Sequence, residues 1–504
     1  MPSANYGVCE SCRKRVPAEH AIRDGCVYLQ KDCPDCGPSE ALVSSDAAVW
    51  QRKRDTCRYN PDEPLHCTLE CDRCGHNHHP RMVFVDVTNR CNMNCPICIA
   101  NIPGMGFEFH PPMKYFENVF KKLGEMDPPP VIQLFGGEPT VRDDLFEIID
   151  LARANGLDAR VVTNGIRLAD EEYCKRICDS RVHVLLGFDG DDPAIYDRLR
   201  KNPGAHAKKA RALENLRKFS HHKNTIMCCV ARHINDKHMP ALIQYVHDSS
   251  AFIKCLHLIP LTETWEEGEF ETDVSTTIED VEQIVNEALP GETVEFLPMG
   301  LTVRLKRALS VFGGAPLKFA GAHPNCESAA YLVSDGERFH GLGRYLKRPL
   351  HELAGELVDR TRALDPRLDR LDLNRRTHRI RARLMVLRSF APVALKGVNL
   401  RAVFKGRPTL RILRVVGGVL MGRKLKDQLR KHTNVRHTML MVILPFEEYH
   451  SIESARLQSC PAAFGYEDPD TGEVRTIPVC AWGLYKSDIQ RRIAEKYRAE
   501  AAAS

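Results

Sequence analysis

Two features of exported and membrane-spanning proteins are missing from this sequence. The first residues, Met1 to Gly7, contain no basic stretch followed by an apolar run, so we expect no secretion signal. No window reaches the roughly 18 unbroken apolar residues of a membrane-spanning helix. The net charge of +5 is small for 504 residues and does not by itself indicate a nucleic-acid partner. These absences predict a cytoplasmic protein.

Cysteine, by contrast, is abundant. The chain has 20 cysteines, and without a secretion signal they indicate metal ligation rather than disulfides. Apolar residues make up 43% and charged residues 27% of the chain, as in ordinary folded proteins. A chain of 504 residues is too long for one ordinary core, so we expect two or more domains.

From about Met82 to Pro298, short β-branched runs alternate with longer helical stretches. Repeated strand–helix units predict an α/β fold, with a parallel sheet forming a barrel or partial barrel inside a layer of helices. Active sites of such sheets lie at the carboxyl ends of the strands. The candidate residues at these ends are a cysteine loop beginning at Cys91, the turn Gly136, Gly137, Glu138 and Pro139, then Thr163, Asn164 and Asp189.

The cysteine loop carries the most specific motif. In DVTNRCNMNCPICIA, Cys91, Cys95 and Cys98 follow a predicted strand with CxxxCxxC spacing. Three thiolates can hold three corners of a four-iron cluster, and the fourth iron can then chelate the amino and carboxylate groups of a methionine. Thiolate ligands keep such a cluster at low potential. A zinc site or three buried thiols is the alternative, but zinc normally takes four ligands.

This segment resembles the radical S-adenosylmethionine (SAM) superfamily. The resemblance implies a partial (β/α)6 barrel and a catalytic [4Fe–4S] cluster on Cys91, Cys95 and Cys98. It implies that SAM is opened to a 5′-deoxyadenosyl radical, which abstracts hydrogen from unactivated carbon. In the family, the glycine-rich turn faces the methionine moiety of SAM, and Thr163, Asn164 and Asp189 are implied near the ribose and methionine groups. A reducing donor such as a ferredoxin or flavodoxin is also implied.

Two further cysteine groups precede the predicted barrel. Cys9, Cys12, Cys33 and Cys36 form two CxxC pairs, which predict one tetrahedral zinc or iron in a rubredoxin-like or zinc-ribbon-like domain over residues 1–50. Thiolates alone do not decide between the two metals. Cys57, Cys67, Cys71 and Cys74 predict an auxiliary [4Fe–4S] cluster in residues 51–80, with a second zinc as the alternative. We expect the nearby His76, His78 and His79 to be surface or supporting groups.

A third centre is predicted in an α+β domain spanning residues 301–504, after a barrel that occupies 81–300. Cys326, Cys460 and Cys480 are its candidate ligands, and PDTG predicts a hairpin turn between the last two. His323 or Cys255 can supply a fourth ligand, or one iron can stay open. Separate buried thiols are the alternative.

Residues 367–432 form a basic, apolar-interleaved segment. They contain 19 Lys and Arg against three acidic residues. Amphipathic basic helices are drawn to anionic head groups, so we expect peripheral contact with a membrane surface, on the inner face. A solvated basic face or an RNA-binding surface is the alternative. Because only Phe390 and Phe404 are aromatic here, stacking on bases is disfavoured, and we expect no nucleic-acid partner.

The order of the cysteine motifs, ending in HPNC and PDTG…IPVC, resembles the radical SAM tetraether lipid synthases. That resemblance implies coupling of lipid hydrocarbon chains through a carbon–carbon bond. The alternative is a radical SAM methyltransferase acting on a pterin or another small molecule, since proteins of this architecture have been interpreted in that way. A peptide-modifying maturase is disfavoured, because only Cys460 and Cys480 lie beyond residue 330. A non-enzymatic iron–sulfur carrier leaves the GGEP turn unexplained.

Overall fold

The computed structural model describes residues 5–71, 74, 80–263, 270–312, 322–420 and 425–503. The sequence predictions for His76, His78 and His79 therefore lie outside the described residues.

Within these ranges the strands are β1 (Tyr6–Val8), β2 (Arg15–Arg23), β3 (Cys26–Cys33), β4 (Gly37–Ser44), β5 (Met82–Thr88), β6 (Val131–Gly136), β7 (Asp158–Thr163), β8 (His183–Gly187), β9 (Asn224–Val230), β10 (Ile253–Pro260), β11 (Leu297–Pro298), β12 (Ser328–Ser334), β13 (Phe339–Gly341), β14 (His437–Ile443), β15 (Ala462–Glu467) and β16 (Val474–Pro478).

The α-helices of the described residues are α1 (Ala47–Cys57), α2 (Met113–Gly124), α3 (Leu145–Ala154), α4 (Glu171–Asp179), α5 (Pro193–Arg200), α6 (Ala205–Phe219), α7 (Met239–Asp248), α8 (Ile278–Ala288), α9 (Leu301–Ser310), α10 (Leu350–Leu368), α11 (Arg376–Gly397), α12 (Leu400–Val403), α13 (Pro408–Leu420), α14 (Leu425–His432), α15 (Ser454–Leu457) and α16 (Val479–Ala503). Short 3-10 helices cover Pro139–Val141, Arg167–Ala169, Asp236–His238 and Leu342–Tyr345.

The amino-terminal strands form a separate antiparallel sheet in the order β1-β2-β3-β4. Along β3, Val27, Leu29, Lys31 and Cys33 are buried at every second position, as expected where one face of a strand packs inward. This sheet has little apolar core of its own, and its cysteines lie at one end of it.

The predicted parallel α/β core is confirmed. Strands β5 to β10 pair in parallel and in chain order, with helices between them, and the resulting sheet is an open arc rather than a closed barrel. The helices cover it with apolar stripes. On α2, for example, Tyr115, Phe116, Val119, Phe120 and Leu123 are buried at helical spacing.

Residues beyond 300 extend this same sheet at both edges. β14 pairs in parallel with β10 and carries β12 beside it, while β15 pairs in parallel with β5 and forms an antiparallel hairpin with β16. The hairpin predicted at PDTG is therefore present, with Gly472 at positive φ in its turn. The boundary at residue 301 remains a prediction, since strands on its far side complete the core sheet.

A helical region formed by α9 to α13 lies between β11 and β14. It has a small core of its own, in which Ala308, Leu364, Leu368 and Val386 pack together. No helix among the described residues is long and apolar enough to cross a membrane.

Candidate active site

The cysteine loop leaves the carboxyl end of β5 and is fixed by Asn89. The Asn89 side chain accepts from the Phe109 amide at 2.8 Å and donates to the Phe107 carbonyl at 2.6 Å. Cys91, Cys95 and Cys98 follow, and all three are half-buried. Burial raises the pKa of the Cys91 thiol to about 12, and the charges of Glu138, Cys98 and Cys95 add to the effect. A cationic metal group is the partner that allows such sulfurs to be thiolates.

The spacing of these sulfurs differs from that of a single-ion site. Among the described residues, one group of three or more candidate ligand atoms lies within 4.8 Å of one another. That group is Cys9, Cys12, Cys33 and Cys36, so the barrel cysteines are not held this closely. The charges of Cys95 and Cys98 nevertheless act on the pKa of Cys91, and that of Cys98 acts on the pKa of Cys95, so the three side chains are neighbours. Three neighbouring thiolates held wider apart than zinc ligands fit the corners of a four-iron cluster.

The glycine-rich turn packs directly beneath this loop. A Cβ at Gly136, whose φ is +126°, would lie 2.2 Å from the Thr88 carbonyl oxygen, and one at Gly137 would lie 2.3 Å from that of Arg90. The amides of Gly137 and Glu138 donate to the same two oxygens at 2.7 and 2.9 Å. Glycine is required here because two backbones touch, so the turn fixes the cysteine loop from below.

Glu138 joins the ends of neighbouring strands. Its buried carboxylate accepts from the Thr140 hydroxyl at 2.6 Å, from the Thr163 hydroxyl at 2.7 Å and from the Asn164 amide at 2.7 Å. Asn164 in turn donates to the Asn92 side chain at 2.7 Å, inside the cysteine loop. The predicted residues Glu138, Thr163 and Asn164 are thus brought together, and Pro139 begins the short helix that follows Glu138.

Asp189 is buried in a two-pronged ion pair with Arg200, with both N–O distances at 2.9 Å. Burial alone would raise the pKa of Asp189, but the Arg200 charge and hydrogen bonds hold it below its ordinary value. Arg200 also acts on Cys95, and its charge opposes the burial that raises that thiol's pKa. The Arg200 guanidinium therefore lies between Asp189 and the cysteine loop.

Lys209 adds a second buried cation to this site. Its ammonium group donates to the carbonyls of Asn164 at 2.6 Å and Gly187 at 2.5 Å. Burial lowers its pKa to about 8. Two cations, one of them paired with Asp189, therefore lie beside the cysteine loop at the carboxyl ends of the strands.

Sequence reasoning missed Arg200 and Lys209, although Lys209 left a readable signal. Ala205, Lys209, Ala212 and Leu216 are buried at helical spacing on α6, so this lysine falls on the apolar face. A charged residue at a core position is normally paired or functional. Arg200, at the end of α5, offered no comparable pattern.

The four amino-terminal cysteines converge. The Cys12 and Cys33 sulfurs are 3.7 Å apart, and all four lie within 4.8 Å of one another. The turn after Cys9 is closed by the Arg13 amide, which donates to the Cys9 carbonyl at 3.0 Å. Cys33 and Cys36 bracket the β3–β4 turn, where Gly37 has φ +88°. Four converging thiolates fit one tetrahedral ion.

The cysteines between residues 57 and 74 do not form one packing group. Cys57 lies in an apolar cluster with Leu301, Ala354 and Val358, whereas Cys67 and Cys71 pack against the main core. The charge of Cys74 acts on the pKa of Cys67, so those two are neighbours. This arrangement gives no support to Cys57 as a ligand of the predicted auxiliary cluster, whose other candidates remain Cys67, Cys71 and Cys74.

Cys326, Cys460 and Cys480 come together around Glu447, although they are far apart in sequence. The charges of Cys326 and Cys460 both act on the pKa of Cys480, which burial raises far above its ordinary value. The hairpin of β15 and β16 places Cys460 and Cys480 at its open end. Cys255 lies near the amino end of β10, beside Lys254 and Arg160, and is not among these neighbours.

A largely apolar cavity of about 180 Å³ extends from the cysteine loop to Cys480 and Glu447. Ile99 and Ala100, directly after Cys98, line one side. The rings of Phe84, Phe135 and Phe464 meet at 5.3 to 5.8 Å, and Trp482 stacks on Phe464 at 5.2 Å. The polar lining includes Glu263, Glu448 and Lys486. An apolar cavity with few polar groups is typical of a small-molecule site.

Comparison with known proteins agrees with this geometry. The Radical SAM superfamily profile matches residues 85–246, and that of the HMPTM N-terminal zinc ribbon domain matches residues 1–45. A 7,8-dihydro-6-hydroxymethylpterin dimethyltransferase of Methanocaldococcus jannaschii is 25% identical, covering 98% of this chain and 96% of its own.

Two partial matches are confined to shorter stretches. A PqqA peptide cyclase of Rhodopseudomonas palustris is 31% identical over 134 residues, which is 26% of this chain and 34% of that protein. The structure of Streptococcus suis SuiB bound to S-adenosylmethionine covers 56% of this chain and 68% of its own at a TM-score of 0.33, with 12% identity. Residues 85–246 form a radical SAM domain.

Proposed function

We propose that this enzyme is a radical SAM methyltransferase that adds methyl groups to a pterin-like heterocycle. The observation that carries this proposal is the match to the pterin dimethyltransferase, which runs through 98% of the chain and so includes the ribbon, the radical SAM domain and the carboxyl-terminal cysteines. The methyltransferase was the alternative in the sequence analysis. The match therefore favours the methyltransferase over the coupling of lipid chains, which the order of the cysteine motifs had favoured.

The cofactors supply the radical chemistry: a reduced four-iron cluster on Cys91, Cys95 and Cys98 would open SAM to a hydrogen-abstracting deoxyadenosyl radical. The protein's own residues bind and orient. Arg200, held in place by Asp189, and Lys209 present positive charge towards the cysteine loop, where an amino-acid carboxylate is to be held. Glu138 fixes the end of β7, where the Asn164 carbonyl accepts from Lys209.

The cavity wall suits a flat ring. The Phe464 and Trp482 rings are stacked with an interplanar angle of 14°. Beside Phe464, the Phe135 ring stands edge-on at 67° and the Phe84 ring is tilted by 32°. Aromatic faces of this kind bind planar heterocycles by offset stacking. Glu263, Glu448 and Lys486 are among the charged residues of the lining. Glu448 already pairs with His450, and Lys486 pairs with Asp86 and the Ala100 carbonyl.

A second candidate function is the joining of lipid hydrocarbon chains, and one surface feature favours it. Apart from Ile22, the large exposed apolar side chains of the described residues all fall between Val303 and Leu413. Leu384, Leu395 and Leu413 are 55%, 65% and 63% exposed on helices of the basic segment. Exposed leucines among Lys and Arg are the pattern of a protein that rests on an anionic bilayer.

One product analysis separates the two functions. Reduced enzyme is incubated with SAM and a reduced pterin, and in parallel with SAM and membrane lipids, and the products are weighed. The methyltransferase proposal expects the pterin to gain one CH₂ unit per methyl group added. Chain joining would instead link two lipid tails, with two hydrogens lost per new bond. The Cys95→Ala enzyme is the control for both arms, and an unchanged pterin would contradict the first proposal.

Membrane contact is tested separately with vesicles. We expect the protein to co-sediment with vesicles containing anionic lipid and not with neutral ones. The triple variant Leu384→Ser, Leu395→Ser, Leu413→Ser should lose this binding, whereas Ile22→Ser, at an equally exposed apolar position outside the segment, should retain it. Equal binding by both variants, or none by the unaltered protein, would remove the support for a lipid substrate.

A further inference from the structure

The carboxyl-terminal cysteines leave one ligand position of a four-iron cluster unassigned. Cys326, Cys460 and Cys480 supply three sulfurs, and sequence reasoning offered His323 or Cys255 as a fourth. Cys255 is near the amino end of its strand. The His323 ring packs edge-on against Tyr59 at 4.7 Å, and its charged neighbours are Glu453, Arg54, Arg456 and His20. Cys255 is therefore remote from the three sulfurs, whereas His323, whose Nε2 is buried without a hydrogen-bond partner among the described residues, is the competing candidate in the test below.

Glu447 faces the three sulfurs. Its backbone amide donates to the Cys480 sulfur at 3.4 Å, and the charge of its carboxylate acts on Cys326, Cys460 and Cys480 alike. The side chain is only 2% exposed. A carboxylate buried among three thiols is costly unless a cation compensates it.

The hydrogen bonds that such a carboxylate needs are missing. Within the described part of the chain, neither Glu447 Oε1 nor Oε2 has a hydrogen-bond partner. Arg456 forms a buried ion pair with Glu447, its Nε lying 2.9 Å from Oε1, but neither of these two atoms is in hydrogen-bond geometry. Buried polar atoms of native proteins are nearly always satisfied, so this carboxylate points to a ligand.

We propose that Glu447 is the fourth protein ligand of an iron–sulfur cluster held by Cys326, Cys460 and Cys480. The cluster then has three sulfur-bound irons and one oxygen-bound iron. A hard carboxylate binds such an iron less firmly than a thiolate does. Glu447 and Cys480 also line the cavity, so two of the four proposed ligands border the substrate space. The proposal does not depend on which substrate the enzyme takes.

The test uses the full chain in a background that carries Cys91→Ala, Cys95→Ala and Cys98→Ala, so that the barrel cluster contributes no signal. After anaerobic reconstitution, iron content and electron paramagnetic resonance (EPR) spectra are compared. Glu447→Gln should lose about one iron per chain and show a three-iron signal after mild oxidation. Glu447→Cys should keep the iron but shift the reduced signal towards that of an all-thiolate cluster.

Glu327→Gln is the matched control, because Glu327 is the neighbouring carboxylate and its Oε2 also lacks a partner among the described residues. We expect this variant and His323→Ala to match the background protein in both measurements. The proposal is overturned if either of them loses the iron instead, if both Glu447 variants match the background, or if no cluster forms at these cysteines.

Misfolding of the Glu447 variants is checked by the metal content of the amino-terminal ribbon. An experiment on the unaltered side chain removes that concern altogether. The background protein is labelled with ¹³C at glutamate carboxyl carbons, and electron–nuclear double resonance is recorded on the reduced cluster. A resolved ¹³C coupling is expected, and its absence would contradict carboxylate ligation.

Discussion

The amino-terminal ribbon and the barrel loop both present cysteines to a metal, but they do so with opposite geometry. In the ribbon, four sulfurs lie within 4.8 Å of one another and leave no ligand position for a substrate. In the barrel, three sulfurs are held by a loop above a glycine turn, with Arg200 and Lys209 beside them. A closed set of ligands stabilises a fold, whereas an incomplete set beside fixed charges binds a reactant.

The largest expected effect comes from removing one barrel cysteine. Cys95→Ala should reduce deoxyadenosine formation to background, because two thiolates cannot hold the cluster, while the ribbon keeps its metal. Chromatography of the nucleoside products and metal analysis check both halves of the prediction. Cys26→Ala, at a half-buried position outside both sites, is the control. If Cys95→Ala made deoxyadenosine at the normal rate, the barrel cysteines would not be the site that opens SAM, and the contrast with the ribbon would be wrong.

Removing the charge of Arg200 from the barrel site should give the next largest effect. Arg200→Gln should raise the Kd for SAM about tenfold to a hundredfold, since a charge-assisted hydrogen bond contributes about 1.5–3 kcal/mol. Equilibrium binding to the reconstituted protein measures it. Arg198→Gln, on the exposed side of the same helix, should leave the Kd unchanged. An equal Kd in both variants would mean that Arg200 serves only the structure around Asp189.

A smaller effect is expected from opening the ribbon. Its contacts reach a segment beside the cavity, where the Asn5 side chain donates to Glu453 at 2.6 Å and Lys31 donates to the His450 carbonyl at 2.8 Å. Cys12→Ser should unfold the ribbon, leave SAM cleavage unchanged and lower substrate turnover by about threefold to tenfold, equivalent to about 0.7–1.4 kcal/mol. Loss of SAM cleavage in Cys12→Ser would contradict this prediction, because it would show that the barrel site needs a folded ribbon.

The smallest effect is a pH dependence of stability that arises in the barrel alone. Burial lowers the pKa of Lys209 to about 8 from the 10.5 of a free lysine, so the unfolded chain binds more protons between these values. Stability contributed by this group therefore rises as the pH is raised from about 8 towards 10.5. Lys209→Met should flatten that part of the denaturation curve relative to the unaltered protein. An identical slope in both proteins would contradict the buried cation.

Short sequence patterns were enough to predict the features that lie within a short stretch of the chain. The CxxxCxxC loop, the CxxC pairs, the GGEP turn and the strand–helix alternation each lie within a few residues or one repeat unit, and the parallel core was predicted from them. The pairing of β14 with β10 and of β15 with β5 was not predicted, because it joins segments almost 200 and 380 residues apart. The packing of Cys57 on Ala354 and Val358 depends on the same kind of long-range contact.

In the candidate site, too, short sequence patterns indicate some contacts and long-range packing produces others. Glu138, Thr163 and Asn164 come at the carboxyl ends of successive strands in the sequence, and hydrogen bonds join them there in the structure, while their role in binding SAM stays a prediction. Arg200 reaches Asp189 from the far end of a helix, and Glu447 reaches three cysteines through the fold alone. No motif spacing encodes either contact.

The most direct measurement concerns the barrel cluster itself. The EPR spectrum of the anaerobically reduced protein is recorded before and after SAM is added, with the Cys95→Ala protein alongside. Direct coordination of SAM to an iron without a cysteine ligand predicts a changed spectrum in the unaltered protein and deoxyadenosine on turnover. A spectrum that SAM leaves unchanged would contradict the assignment of Cys91, Cys95 and Cys98 as the site where SAM is opened.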